Sequence, residues 1–176
     1  MRLLIYTNNK KYNMHCEEYK MIWASEGERI QESFKKILML PFSEEEVKLL
    51  INEGKDGSNS SGDSIKEPMN FRYNNRCKIG TYLHELSHRI VTEYALLDIA
   101  KSKYNIEDIH QLIDLFLYDV IEDLYGKEAA NLRVEYESNF EETVYSKSWE
   151  YALAFTFDER QSMLKNIVGE LENEKK

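Results

Sequence analysis

Thr81-Tyr82-Leu83-His84-Glu85-Leu86-Ser87-His88-Arg89-Ile90-Val91 sets two histidines one helical turn apart and surrounds them with apolar residues at helical intervals. On a helix advancing about 100° per residue, Leu83, Leu86, Ile90, Tyr94 and Leu97 share one face. His84 and His88 share another, and Val91 and Ala95 continue it. Apolar residues extend the histidine stripe, so that stripe is not a solvated one. The spacing predicts a helix over residues 78–98, packed on two sides.

Two imidazoles at i and i+4 point the same way and can grip one zinc ion at about 2.0–2.1 Å each. Glu85 flanks His84. A carboxylate there can act as general base on a metal-activated water without occupying a coordination position. A catalytic zinc also needs a third protein ligand and an open position. The next predicted helix, 106–125, offers two candidates. Asp119 and Asp123 fall within its apolar arc beside Leu112, Leu115 and Phe116, where a carboxylate needs a partner or a metal. Asp114 and Glu122 fall on the opposite, polar side.

A hairpin turning near residue 103 would bring Asp119 level with His88, as a ligand. Asp123 would then hydrogen-bond a histidine. If the first helix ended near residue 93, His110 would come level instead. Asp119 and His110 stand about 13 Å apart along a regular helix, so one metal takes only one of them. Glu128 and Glu135, beyond Gly126, are weaker candidates. A basic partner such as Arg89 or Arg133 is the structural alternative for the acidic pair. Tyr118, Tyr125 or His110 could supply an electrophilic donor to an oxyanion.

The 176 residues suit one domain over 1–176. A net charge of −9 argues against a nucleic-acid-binding surface. No stretch reaches the roughly 20 apolar residues of a membrane span, and the apolar run after Met1 is too short for a secretory signal. A cytoplasmic protein is expected. Cys16 and Cys77 have no zinc-finger spacing; Cys77, close before His84, is a conceivable shield for the metal.

Residues 2–6 read as a strand and 17–40 as a helix closed by Pro41. In 43–53, Ser43 and Glu46 form a capping-box pattern, yet Val47, Leu49 and Ile51 alternate, and the strand is preferred. Residues 54–64 are loop-like in composition and could form a lid. Met69, Phe71 and Tyr73 alternate, which predicts a strand at 69–73. Further helices are expected at 127–138, 146–155 and 158–172, the last after a capping box from Thr156 to Glu159.

The segment Thr81 to His88, with the less specific segment Asp119 to Asp123, resembles the zincin metallopeptidases in their gluzincin form. Those enzymes usually offer Glu as third ligand; here the matching position is Asp119. The blocks Leu115-Phe116-Leu117-Tyr118-Asp119-Val120 and Leu124-Tyr125-Gly126 are similar to those of small uncharacterised bacterial and phage proteins with the same H-E-x-x-H pentad. The resemblance implies a mostly helical α+β, zincin-like fold, with a small twisted sheet of three to four strands over the active-site helix. Strand 69–73 would be the edge that pairs with an extended substrate.

The resulting expectation is a zinc-dependent peptidase acting on a peptide or protein substrate. His84, His88 and Asp119 (or His110) bind Zn2+, and Glu85 is the general base. The alternative is an inactive zincin-like domain that binds a peptide or protein, or a regulatory protease that cuts one partner. Substrate and oligomeric state are not legible in the sequence.

Overall fold

A computed structural model of the chain describes residues 1–52, 59–61, 64–68, 75–139 and 143–174. The expected strand at 69–73, most of the expected loop at 54–64 and the side chain of Cys77 lie outside the described residues. The described elements run β1 (Arg2–Tyr6), a single 3-10 turn (Lys10–Tyr12), α1 (Asn13–Leu38), β2 (Glu46–Asn52), β3 (Asn59–Ser61) and β4 (Ser64–Pro68). Then come α2 (Asn75–Glu93), α3 (Leu96–Tyr104), α4 (Ile109–Tyr125), α5 (Lys127–Ser138), α6 (Thr143–Leu153) and α7 (Phe157–Glu174). The architecture is α+β and mostly helical. No helix among the described residues is long and apolar enough to cross a membrane.

The chain divides into two compact units. The first comprises Met1–Gln31 and Phe42–Arg89, the second Glu32–Pro41 and Ile90–Lys176.

In the first unit the strand order is β1-β2-β4-β3. β1 and β2 pair in parallel, with Leu3 opposite Val47 and Ile5 opposite Leu49. β2 and β4 are also parallel, and β3 returns antiparallel to β4. Parallel neighbours need a crossover, and α1 lies in the chain between β1 and β2. The alternation in 43–53 decides its structure: Val47, Leu49 and Ile51 are fully buried. Burying each such side chain contributes about 1.5–3 kcal/mol, more than the capping box at Ser43 could return.

Helix α1 begins earlier than the expected residue 17 and keeps its glycine for a packing reason. A Cβ on Gly27 would stand 2.7 Å from the indole of Trp23, one turn before it. Tyr19, Trp23 and Tyr82 form an aromatic cluster in which the Tyr19 and Tyr82 rings meet edge to face at 5.2 Å. The Tyr82 hydroxyl donates to the Tyr19 carbonyl at 3.0 Å.

In the second unit α4 is the central helix. Every residue from Leu112 to Ile121 is buried, so it is covered on all sides rather than on one stripe. α3, α5, α6 and α7 all pack against it. Phe34, near the end of α1, meets Phe116 edge to face at 6.2 Å. Gly126 ends α4 as expected. Its φ of +85° reverses the chain into α5, and its N–H donates to the Glu122 carbonyl at 2.9 Å.

The helix expected over 78–98 is two helices. α2 ends at Glu93, and Ala95 takes a left-handed conformation with φ of 51° before α3 begins. Asn105, also left-handed, closes α3, with its N–H bonded to the Ala100 carbonyl. The pentad helix thus stops at Glu93, short of the expected residue 98.

Candidate metal centre

The pentad is held at both ends within the first unit. Before it, Tyr82 is anchored to the Tyr19 carbonyl, and buried Lys78 pairs with Glu18. After it, buried Arg89 grips Glu44 through both carboxylate oxygens, with Nε to Oε2 at 3.3 Å. Inside it, Ser87 donates to the Leu83 carbonyl at 2.7 Å, which keeps a polar residue acceptable in a buried turn. These contacts fix the rotation of α2, and so fix where His84, Glu85 and His88 point.

His84 is 6% exposed, Glu85 2%, and His88 half-buried. The Nε2 atoms of His84 and His88 face each other at 3.2 Å, with ring centroids 4.9 Å apart and planes at 65°. Two ring nitrogens this close cannot both carry protons. Either they share one, or both turn lone pairs toward a cation between them. Two convergent imidazole lone pairs are a donor set that suits zinc. A carboxylate as enclosed as Glu85 is held for a partner or a task.

His110 stands in the first turn of α4, in the second unit. Asp108 is the N-cap of that helix. Its Oδ1 accepts from the His110 backbone N–H at 2.7 Å and lies 3.2 Å from His110 Nδ1. Gln111 completes the capping box by accepting from the Asp108 N–H at 3.3 Å. A carboxylate at Nδ1 favours the tautomer with the proton there and the lone pair on Nε2. The Tyr145 ring meets the His110 ring edge to face at 4.8 Å. Asp108 was not singled out in the sequence, although Asp108 followed by Gln111 is a capping pattern that could have revealed it.

The two acidic candidates of α4 are committed elsewhere. Asp119, expected as third ligand, is held by Arg160: Nε donates to Oδ2 at 3.2 Å and Nη2 to Oδ1. Gln161 adds a longer contact to Oδ2 at 3.4 Å. Both oxygens are thus occupied, by a partner that is neither Arg89 nor Arg133. Asp123, expected beside a histidine, accepts from Ser33 Oγ at 2.8 Å and from Lys36 Nζ at 2.5 Å. Asp114, expected on a polar face, is 1% exposed, because α4 has no solvated face at that turn. Tyr118 donates its hydroxyl to Asn131 at 2.8 Å, and burial pushes its phenol pKa up. Glu128 and Glu135 are exposed on α5.

No protein-family model, no curated protein and no solved structure matches this chain.

Proposed function

We propose that the chain is a zinc-dependent peptidase of the zincin kind, with His84 and His88 holding the metal and Glu85 as general base. The observation that carries this reading is the 3.2 Å separation of the His84 and His88 Nε2 atoms. Two nitrogens each bound to one tetrahedral zinc stand about 3.3 Å apart, so the pair needs almost no adjustment.

Asp119 is not available as the third ligand. Asp119 spends both carboxylate oxygens on Arg160. Neutral imidazoles suit a borderline cation such as zinc better than magnesium or calcium. When bound, zinc would supply Lewis acidity, polarising a carbonyl and making a water more acidic.

The rest of the chemistry falls to the chain itself. Glu85 follows His84 directly and is shielded from solvent, so its carboxylate can take the proton of an attacking water and return it to the leaving amine. Asp108 holds the His110 ring by its Nδ1 side. On this reading the first unit is a zincin-like α+β module, and the substrate is a peptide or protein.

Glu85→Gln separates the roles. The account expects a variant that retains zinc at the wild-type level and loses hydrolysis of peptides. An undiminished rate would remove Glu85 from the mechanism. A zinc-loaded wild-type protein that cuts no member of a broad peptide library would make this a binding domain instead.

A further inference from the structure

The second unit encloses a group of polar side chains that the metal centre does not use. Asp114 on α4 is 1% exposed, and Glu137 on α5 is equally buried. Glu137 is well supplied with donors: Arg133 binds Oε1, and Trp149 Nε1 donates to Oε2 at 2.8 Å. Asp114 is not. Its Oδ2 lies 2.5 Å from Ser148 Oγ on α6, and its Oδ1 has no hydrogen-bond partner among the described residues.

The proton count at Ser148 is informative. Its Oγ stands 2.5 Å from Asp114 Oδ2 and 2.9 Å from the Tyr145 carbonyl oxygen. A hydroxyl carries one proton, and a carbonyl can only accept. One proton would have to be split between the two acceptors, whereas a proton on the carboxyl makes both contacts full hydrogen bonds. The geometry points to Asp114 as a neutral carboxylic acid in the folded protein, donating through Oδ2 to Ser148, which donates in turn to the Tyr145 carbonyl. That relay ties α6 to α4 by a proton.

The charges around the site agree. Arg133 is one cation facing two buried carboxylates, and it is paired with Glu137. From α5, Glu137 repels a charge on Asp114 and Arg133 attracts one. From α6 the Ser148 hydroxyl meets it, and from the start of its own helix Asp108 adds repulsion. Burial first, and the Glu137 charge second, hold the Asp114 pKa well above the ordinary value of 3.8. A neutral acid can leave one oxygen without a donor at modest cost, whereas an ionised one in the same place cannot. The device is a pH-sensitive clamp. It is intact when Asp114 keeps its proton and is loosened when rising pH removes it.

The sign of the effect follows from linkage. A carboxyl whose folded pKa is raised contributes stability that is complete below the unfolded value and is lost as pH rises through the folded one. Asp114→Asn replaces the acid with an amide that makes the same donation to Ser148 and cannot ionise. The Tm of Asp114→Asn relative to wild type should therefore climb as pH rises from about 4, where unfolded aspartates ionise. A difference that stays level across that range overturns the proposal, and so does an Asp114→Asn chain that fails to fold. Carbon-13 NMR of the labelled wild type reads the same group without any variant. The Asp114 carboxyl carbon, assigned through its backbone, should keep the shift of a neutral acid at pH 7. If it titrates together with the exposed aspartates, Asp114 is an ordinary carboxylate and the clamp does not exist.

Discussion

Arg160 on α7 holds Asp119 on α4 by two hydrogen bonds in the interior of the second unit, and its Nη1 also donates to the Phe155 carbonyl at 2.7 Å. The guanidinium thus joins the central helix to the turn before α7, while its carbon lies 5.4 Å from the Tyr118 ring centroid. Removing one member of an enclosed ion pair strands the other, at a cost of about 3–5 kcal/mol. Arg160→Ala and Asp119→Ala should each lower unfolding stability by that amount in urea titrations. Zinc stoichiometry of the folded fraction should not change in either. Loss of metal from folded Asp119→Ala would restore Asp119 as a ligand.

Asp108 has two duties that one substitution can separate. Asp108→Ser keeps a hydroxyl able to cap α4 but removes the carboxylate from His110 Nδ1. Asp108→Ser should leave Tm nearly unchanged, whereas Asp108→Ala should lose the cap, about 1 kcal/mol. Equal stability of the two variants in urea titrations would mean that the Asp108 side chain does not hold the start of α4.

Gly126 has room for a side chain but a backbone that resists one: nothing lies within 4 Å of an added Cβ, and φ is +85°. Gly126→Ala should therefore destabilise the second unit by about 1 kcal/mol or more through conformation alone. Denaturant unfolding measures this. Neutrality would mean that the α4–α5 turn relaxes to another shape.

The parts legible in the sequence were those set by short-range periodicity. The alternation of Val47, Leu49 and Ile51 gave β2, and the spacing of Leu83, Leu86 and Ile90 gave the pentad helix with its histidines enclosed. Gly126 marked the end of α4. The break at Ala95 left no such mark, because alanine seldom takes positive φ and only the surrounding fold imposes it. That one residue ends the pentad helix short of the expected residue 98. Asp114 was misplaced for a different reason: a helical wheel assumes a solvated side, and α4 has none along its middle. The Asp119–Arg160 pair spans 41 positions, beyond anything local pattern can reach.

X-ray absorption at the zinc edge, on protein purified without chelators, tests the proposed metal centre most directly. The account predicts about one zinc per chain, imidazole nitrogens in its shell at about 2.0–2.1 Å, and loss of the metal in His88→Ala. A wild-type chain that neither carries zinc nor takes it up when supplied, or a shell without imidazole, would contradict it.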